Sequence, residues 1–308
     1  MIYLCMWTGT SGGIQVIYEH VRILRGLGID ARLGAHGPFR RCTWFRNDPV
    51  STPAIDDCLA KLTAQDVLVV PELCIGAPEL ADVPGRRIAF VQNTSLLTSP
   101  LAGYESVLVP SAAIEPTLRQ ASRYQGDVHV VPSFLHSEFL FPSRAFTQRR
   151  PRVLLIDRPN KHAGEPREVQ SHLHDRCRLD VEVTYVDQSL PRDAFTALFR
   201  NHDFYLHLSH PEGLPISILE AFGAGCLVIG FAGIGGLEFM VDGDNCFIVA
   251  DGNVPATIDA LAHALRQPCE TLNAMLYRAR RTAATFDEAR TTAALARAFG
   301  RWTLGAAR

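Results

Sequence analysis

Two carboxylates and two cations are the residues of this chain best placed to do chemistry. Glu212 and Glu220 stand with seven residues between them in Glu212-Gly213-Leu214-Pro215-Ile216-Ser217-Ile218-Leu219-Glu220-Ala221-Phe222-Gly223-Ala224-Gly225. An apolar run over 204–208 leads into this stretch and another over 226–231 leaves it, which predicts strand, loop, short helix and strand. Pro215 suits a first helical turn, where a missing N–H costs nothing, and Gly223 and Gly225 suit its end. Glu212 then lies at the mouth of the helix N-terminus. Glu220 lies on its flank, about one and a half to two turns in at roughly 3.6 residues per turn. An anion at that N-terminus meets unpaired N–H groups and the positive end of the helix dipole. Carboxylates repel an anion and instead accept hydrogen bonds from hydroxyls. The complement is a phosphate flanked by hydroxyl-rich groups, the form of a nucleotide sugar.

The cations are Arg158 and Lys161, which follow the apolar run 152–157. Open α/β folds place ligands at the C-terminal ends of their strands. A planar guanidinium and a compact ammonium there would neutralise a diphosphate. Arginine-rich loops are common in this chain, but among its 30 basic residues only Lys61 and Lys161 are lysine. That rarity gives Lys161 weight.

Glu212 to Gly225, with Leu227-Val228-Ile229-Gly230 and Gly235-Gly236-Leu237-Glu238 after it, resembles the E-x7-E region of the retaining GT-B glycosyltransferases of family 4. The resemblance covers most of the second half of the chain and the first half only loosely. It implies two Rossmann-like, doubly wound parallel-sheet α/β domains facing across a cleft. It further implies transfer of a glycosyl group from a nucleotide diphosphate sugar with retention of configuration and without a metal or other cofactor. Carried over, Glu212 contacts the transferred sugar and Glu220 the ribose. Amides of Gly213 and Leu214 meet the sugar and diphosphate, Pro215 counts with them among the donor-binding residues, and Arg158 and Lys161 resemble the cation pair on the diphosphate. Gly12-Gly13 resemble the glycine pair beneath that group, although a tight turn alone explains them equally well. Where the family often carries a histidine on the sugar, this chain has Gln92-Asn93, which leaves a catalytic role at that point open. His210, beside Glu212, either lines the cleft or closes the loop. The leaving phosphate itself is the expected acceptor of the proton, so no general base is named.

The elements that must position these groups are legible as alternating apolar runs and helical spacings. Strands are expected at 2–7, 29–33, 66–71, 87–92, 105–110 and 128–132, with a helix over 14–27. A second set follows at 152–157, 179–187, 204–208, 226–231 and 246–249, and 269–302 is strongly helical. Residues 133–151 have no period and read as a linker. The expected domains are 1–147 on the acceptor side, 148–287 on the donor side, and a last helix, 288–308, crossing back to the first domain.

At 308 residues the chain suits two domains of about 150. A net charge of −2 gives no pull toward nucleic acid. The eight cysteines include no C-x-x-C pair, which indicates neither a zinc site nor a disulfide framework. His172-x-His174 on a helix would point apart, and Asp242-Gly243-Asp244 reads as a turn, so no metal site is expected. Neither a secretory signal nor an apolar run of membrane-spanning length is evident. The cytoplasm is the expected compartment. The basic and aromatic run over 39–46 reads first as a surface loop. Its alternative is peripheral contact with the inner membrane face or a lipid-linked acceptor. The acceptor class stays open among a glycan, a lipid-linked sugar and a small molecule. Two competing readings use the same pocket, a GT-B nucleotide-sugar epimerase and a non-catalytic sugar-nucleotide-binding protein. A third, an NAD-linked oxidoreductase, wants an acidic residue ending the second strand, and none ends it convincingly here.

Overall fold

The computed structural model describes residues 1–5, 11–35, 54–142, 144–147, 149–157, 165–175 and 179–303. The chain divides into two compact units, Met1–Ser133 with Glu288–Arg308, and Phe134–Asp287. Arg158, Lys161 and the basic and aromatic run over 39–46 lie outside the described residues.

The first unit comprises β1 (Ile2–Cys5), α1 (Gly12–Gly26), β2 (Arg32–Ala35), α2 (Ile55–Leu59), β3 (Val67–Pro71), β4 (Arg86–Phe90), β5 (Ser106–Val109), α3 (Ile114–Ser122) and β6 (Asp127–Val130). Its six strands lie in the order β2-β1-β3-β4-β5-β6, every pairing parallel. Parallel sheets are covered on both faces, which is why β1, β3 and β5 are buried along their whole length and read as unbroken apolar runs. The order reverses between β1 and β3, the kind of switch point at which such sheets bind ligands. The second strand was expected at 29–33 and forms three residues later at its start. The cause is the helix end: Ile29 N–H donates back to Leu24 O (3.0 Å), so the turn consumes the residues up to Ala31.

The last helix, α9 (Glu288–Thr303), belongs to this first unit. Arg22 of α1 pairs with Glu288 at 2.8 Å, and Thr291 Oγ1 donates to Pro132 O at 2.8 Å. The strongly helical stretch 269–302 is two helices: α8 (Cys269–Ala284) belongs to the second unit, and α9 starts at Glu288, the residue at which a separate last helix was expected.

His20, on α1, is fully buried between Tyr3 and Phe90, with ring centroids at 5.9 and 5.1 Å. Burial holds its imidazole down to a pKa of about 3. Below the ordinary histidine value of 6.5 the unfolded chain takes up a proton that the folded chain refuses. Stability contributed by this site is therefore present above pH 6.5 and is lost as pH falls toward 3. The expected slope is about 1.4 kcal/mol per pH unit. Urea unfolding between pH 6.5 and 4 should show this slope in the wild type and its removal in His20→Gln; equal slopes in both proteins would contradict it.

The second unit comprises β7 (Arg152–Ile156), α4 (Glu165–Asp175), β8 (Glu182–Val186), α5 (Arg192–Asn201), β9 (Phe204–His207), α6 (Ile216–Ala224), β10 (Leu227–Phe231), β11 (Phe247–Val249), α7 (Val254–Leu265) and α8. Its strand order is β11-β10-β9-β7-β8, again all parallel. The switch point here lies between β7 and β9, so the loops leaving those two strands are the ones a ligand would meet. Val153, Leu155, Phe204, Leu206, Leu227, Ile229 and Phe231 form the sheet side of a core closed by Ile258, Leu261 and Met275 of the helices.

The expected boundary at 147/148 is corrected to 133/134. The stretch read as a linker is core: Phe139 is fully buried and meets Phe195 and Phe199 edge to face at 6.3 and 6.0 Å. Arg144 and Arg149 both bind the buried carboxylate of Asp203, which also accepts Arg152 N–H at 2.9 Å. Among the described residues no helix is long and apolar enough to cross a membrane.

Candidate functional site

The loop leaving β9 carries the first carboxylate. Ser209, Glu212, Gly213, Leu214 and Pro215 are all buried, which is unusual for a loop and implies that its polar groups are satisfied within the unit. Glu212 is 7 % exposed, and its Oε1 accepts a hydrogen bond from Ser209 Oγ at 2.7 Å. Its carbonyl accepts Ile234 N–H at 2.9 Å. Gly233, in the glycine loop after β10, sits at φ +59 with its missing Cβ only 2.9 Å from Glu212 Cβ and O. Only glycine lets these two loops close on each other, and the closure fixes the backbone of Glu212. His210, half-buried next to it, stands edge-on to Phe231 at 5.3 Å.

The helix was expected from Leu214 with Pro215 in its first turn. It begins at Ile216, and Pro215 is the residue before it, at φ −76 and ψ 86. Gly213 and Leu214 are thereby released to the loop. Glu220 lies one turn inside α6 and is 5 % exposed. The helix is buried almost all round, which places this carboxylate inside the unit rather than on a solvated face.

Glu220 meets a residue that the sequence reading passed over. Arg192 Nη1 donates to Glu220 Oε1 at 3.4 Å, and Arg192 Nε donates to Glu138 Oε1. The guanidinium also lies over the Phe139 ring, 4.8 Å from its centroid. Arg192 is 6 % exposed at the head of α5. A charged residue opening a helix is ordinary in sequence, and both partners are distant along the chain. The only signal was its position directly after Pro191.

In the first unit Gln92 follows β4, and Gly12 and Gly13 open α1 instead of lying in a turn before it. The structure brings two of these together: Gln92 Nε2 donates to Gly13 O at 3.2 Å. Gln92 N–H donates to Glu72 Oε2 at 3.2 Å, and Glu72 is a buried carboxylate at the end of β3 that was not singled out from sequence. Asn93 is committed locally, its Oδ1 accepting Ser95 N–H and Oγ–H at 3.0 and 2.8 Å as the cap of a short turn. Asp242 and Asp244 are likewise committed, to Ile248 N–H (2.8 Å) and to Arg278 (2.7 Å). Among the described residues no three His, Cys, Asp or Glu side chains converge as metal ligands.

Comparison with known proteins gives the class of fold. Residues 163–282 match the family described as Glycosyl transferases group 1, a segment that contains Arg192, Glu212 and Glu220. No curated protein matches the chain by sequence. Among solved structures, the sucrose-phosphate synthase of Thermosynechococcus elongatus superposes with a TM-score of 0.73 at 14 % identity, over 100 % of this chain and 99 % of that one. HepE of Anabaena, solved with UDP-glucose, gives 0.70 at 14 % identity over 97 % and 99 %. A glycosyltransferase of Rickettsia africae gives 0.68 at 14 % identity over 98 % of both chains. The chain has the GT-B fold.

Proposed function

We propose that this protein is a glycosyltransferase that moves a sugar from a nucleoside diphosphate sugar to a glycan, lipid-linked or small-molecule acceptor. The proposed reaction retains the anomeric configuration, uses no metal ion and takes place in the cytoplasm. The observation that carries the reading is the pair of buried carboxylates, Glu212 and Glu220, on either side of the N-terminus of α6 at the switch point of the second sheet. Carboxylates held in place by Ser209 and Arg192 beside an anion-attracting helix end can accept further hydrogen bonds from ligand hydroxyls. A sugar and a ribose joined by a diphosphate supply hydroxyls on both sides of the anion.

In this reading Glu212 orients the sugar and Glu220 the ribose. The amides of Gly213 and Leu214 before α6, with Arg158 and Lys161, stabilise the charge that grows on the departing diphosphate. Gly12 and Gly13 lie along the same group, and Gln92 and His210 serve the sugar and acceptor. The departing phosphate takes the acceptor's proton. HepE was solved with UDP-glucose, which makes UDP-sugars the first donors to try.

The test is a thermal-shift series with UDP, GDP, ADP, dTDP and NAD on wild type, Glu220→Ala and Lys161→Ala. One nucleoside diphosphate at a hundred times its dissociation constant should add about 2.7 kcal/mol of stability. Both variants should lose that response. A response to NAD alone, or to none of these by a folded protein, would sink the reading.

A further inference from the structure

We infer that Arg192 is a positioning residue that sets Glu220 for a ribose hydroxyl, so that the triad of Glu138, Arg192 and Glu220 decides how strongly ribose is preferred over deoxyribose. The inference rests on the donor-binding reading of Glu220. It adds to that reading a residue outside the Glu212 to Gly225 stretch. Arg192 is held from three sides: Nε to Glu138, Nη1 to Glu220 Oε1 at 3.4 Å, and its face on the Phe139 ring at 4.8 Å. Its backbone is tied in as well, since its carbonyl accepts Thr196 Oγ1 at 2.8 Å. A planar guanidinium fixed in this way presents its donors in one direction only.

The consequence falls on Glu220. A glutamate has three side-chain torsions, and ordering them costs on the order of 1–2 kcal/mol. Where a cation already holds one carboxylate oxygen, that cost is met in the free protein. A hydroxyl arriving at such a carboxylate finds the acceptor already oriented, which is how rigid surroundings raise both affinity and selectivity. The buried triad carries two negative charges and one positive, so it favours a hydrogen-bond donor and disfavours an anion. It therefore recognises the ribose and takes no part in holding the diphosphate.

The experiment titrates the full chain with UDP, GDP and ADP, with the 2′-deoxy and 3′-deoxy counterpart of each, and with the matching monophosphates. Wild type should bind the best of the three diphosphates at least about tenfold more tightly than one of its deoxy counterparts, as a lost hydrogen bond to a charged group implies. In Arg192→Met that ratio should fall below about threefold. The preference for diphosphate over monophosphate should stay unchanged, because a general loosening of the unit would lower both. Arg192→Lys keeps the charge without the fork and should fall between the two. If Arg192→Met does not fold, the lysine variant carries the test. An unchanged ribose ratio in the folded variants overturns the inference and leaves the donor reading standing. Parallel loss of both preferences overturns it too, and marks Arg192 as structural. Wild-type binding without any ribose preference removes the role given to Glu220 itself. No binding of any diphosphate by wild type removes the donor reading and the inference with it.

Discussion

Glu212→Gln is expected to lower sugar transfer by about a hundred- to a thousandfold while leaving the melting temperature nearly unchanged. The replacement keeps shape and one acceptor oxygen, so Ser209 Oγ still has its partner. The loop's backbone ties, Ile234 N–H to Glu212 O and the close seat of Gly233, do not involve the side chain's charge. What is removed, on the proposed reading, is a carboxylate charge beside the reacting sugar, in a position that is largely shielded from water. Groups that act electrostatically on a transition state in such sites are typically worth two to three powers of ten. A folded Glu212→Gln protein with turnover within tenfold of wild type would reduce Glu212 to a partner of Ser209.

Gly230→Ala should prevent the second unit from folding stably. Gly230 lies on β10, between β11 and β9, in register with His207 of β9, and both β9 and β10 are completely buried. Its φ is +140, a region that side-chain-bearing residues scarcely enter. A Cβ there would stand 2.1 Å from His207 O, a backbone atom that cannot step aside without breaking the ladder. Strain and overpacking together should cost more than about 4 kcal/mol, much of the total stability of a typical domain. Urea unfolding of the purified protein, or its absence from the soluble fraction, is the readout. A variant melting within a few degrees of wild type would show that the strands can part and that the sheet is less rigid than its burial implies.

The strands and the E-x7-E segment were readable because their signals are local. A strand buried on both faces must be apolar along its length, and 67–71, 204–207 and 227–231 show that directly. Glycine and proline likewise bracket α6 within one residue or two. What sequence could not carry were pairings between distant positions. Phe139 looked like part of a linker because nothing periodic surrounds it, yet its partners are on α5. Arg192 reaches Glu220 across 28 positions and Glu138 across 54. Asn93, expected on the sugar and acceptor side, also caps its own turn through Oδ1, a local contact that its place at a strand end did not announce.

Release of nucleoside diphosphate from its sugar conjugates tests the central claim most directly. Wild type and Glu212→Gln would be incubated side by side with UDP-, GDP-, ADP- and dTDP-sugars, with water as the fallback acceptor, and the anomeric proton of the released sugar followed by NMR. The account predicts release from one nucleotide class by wild type, a newly formed bond of the donor's own anomeric configuration, and near silence from the variant. Release with inverted configuration, or equal release by both proteins, would contradict it.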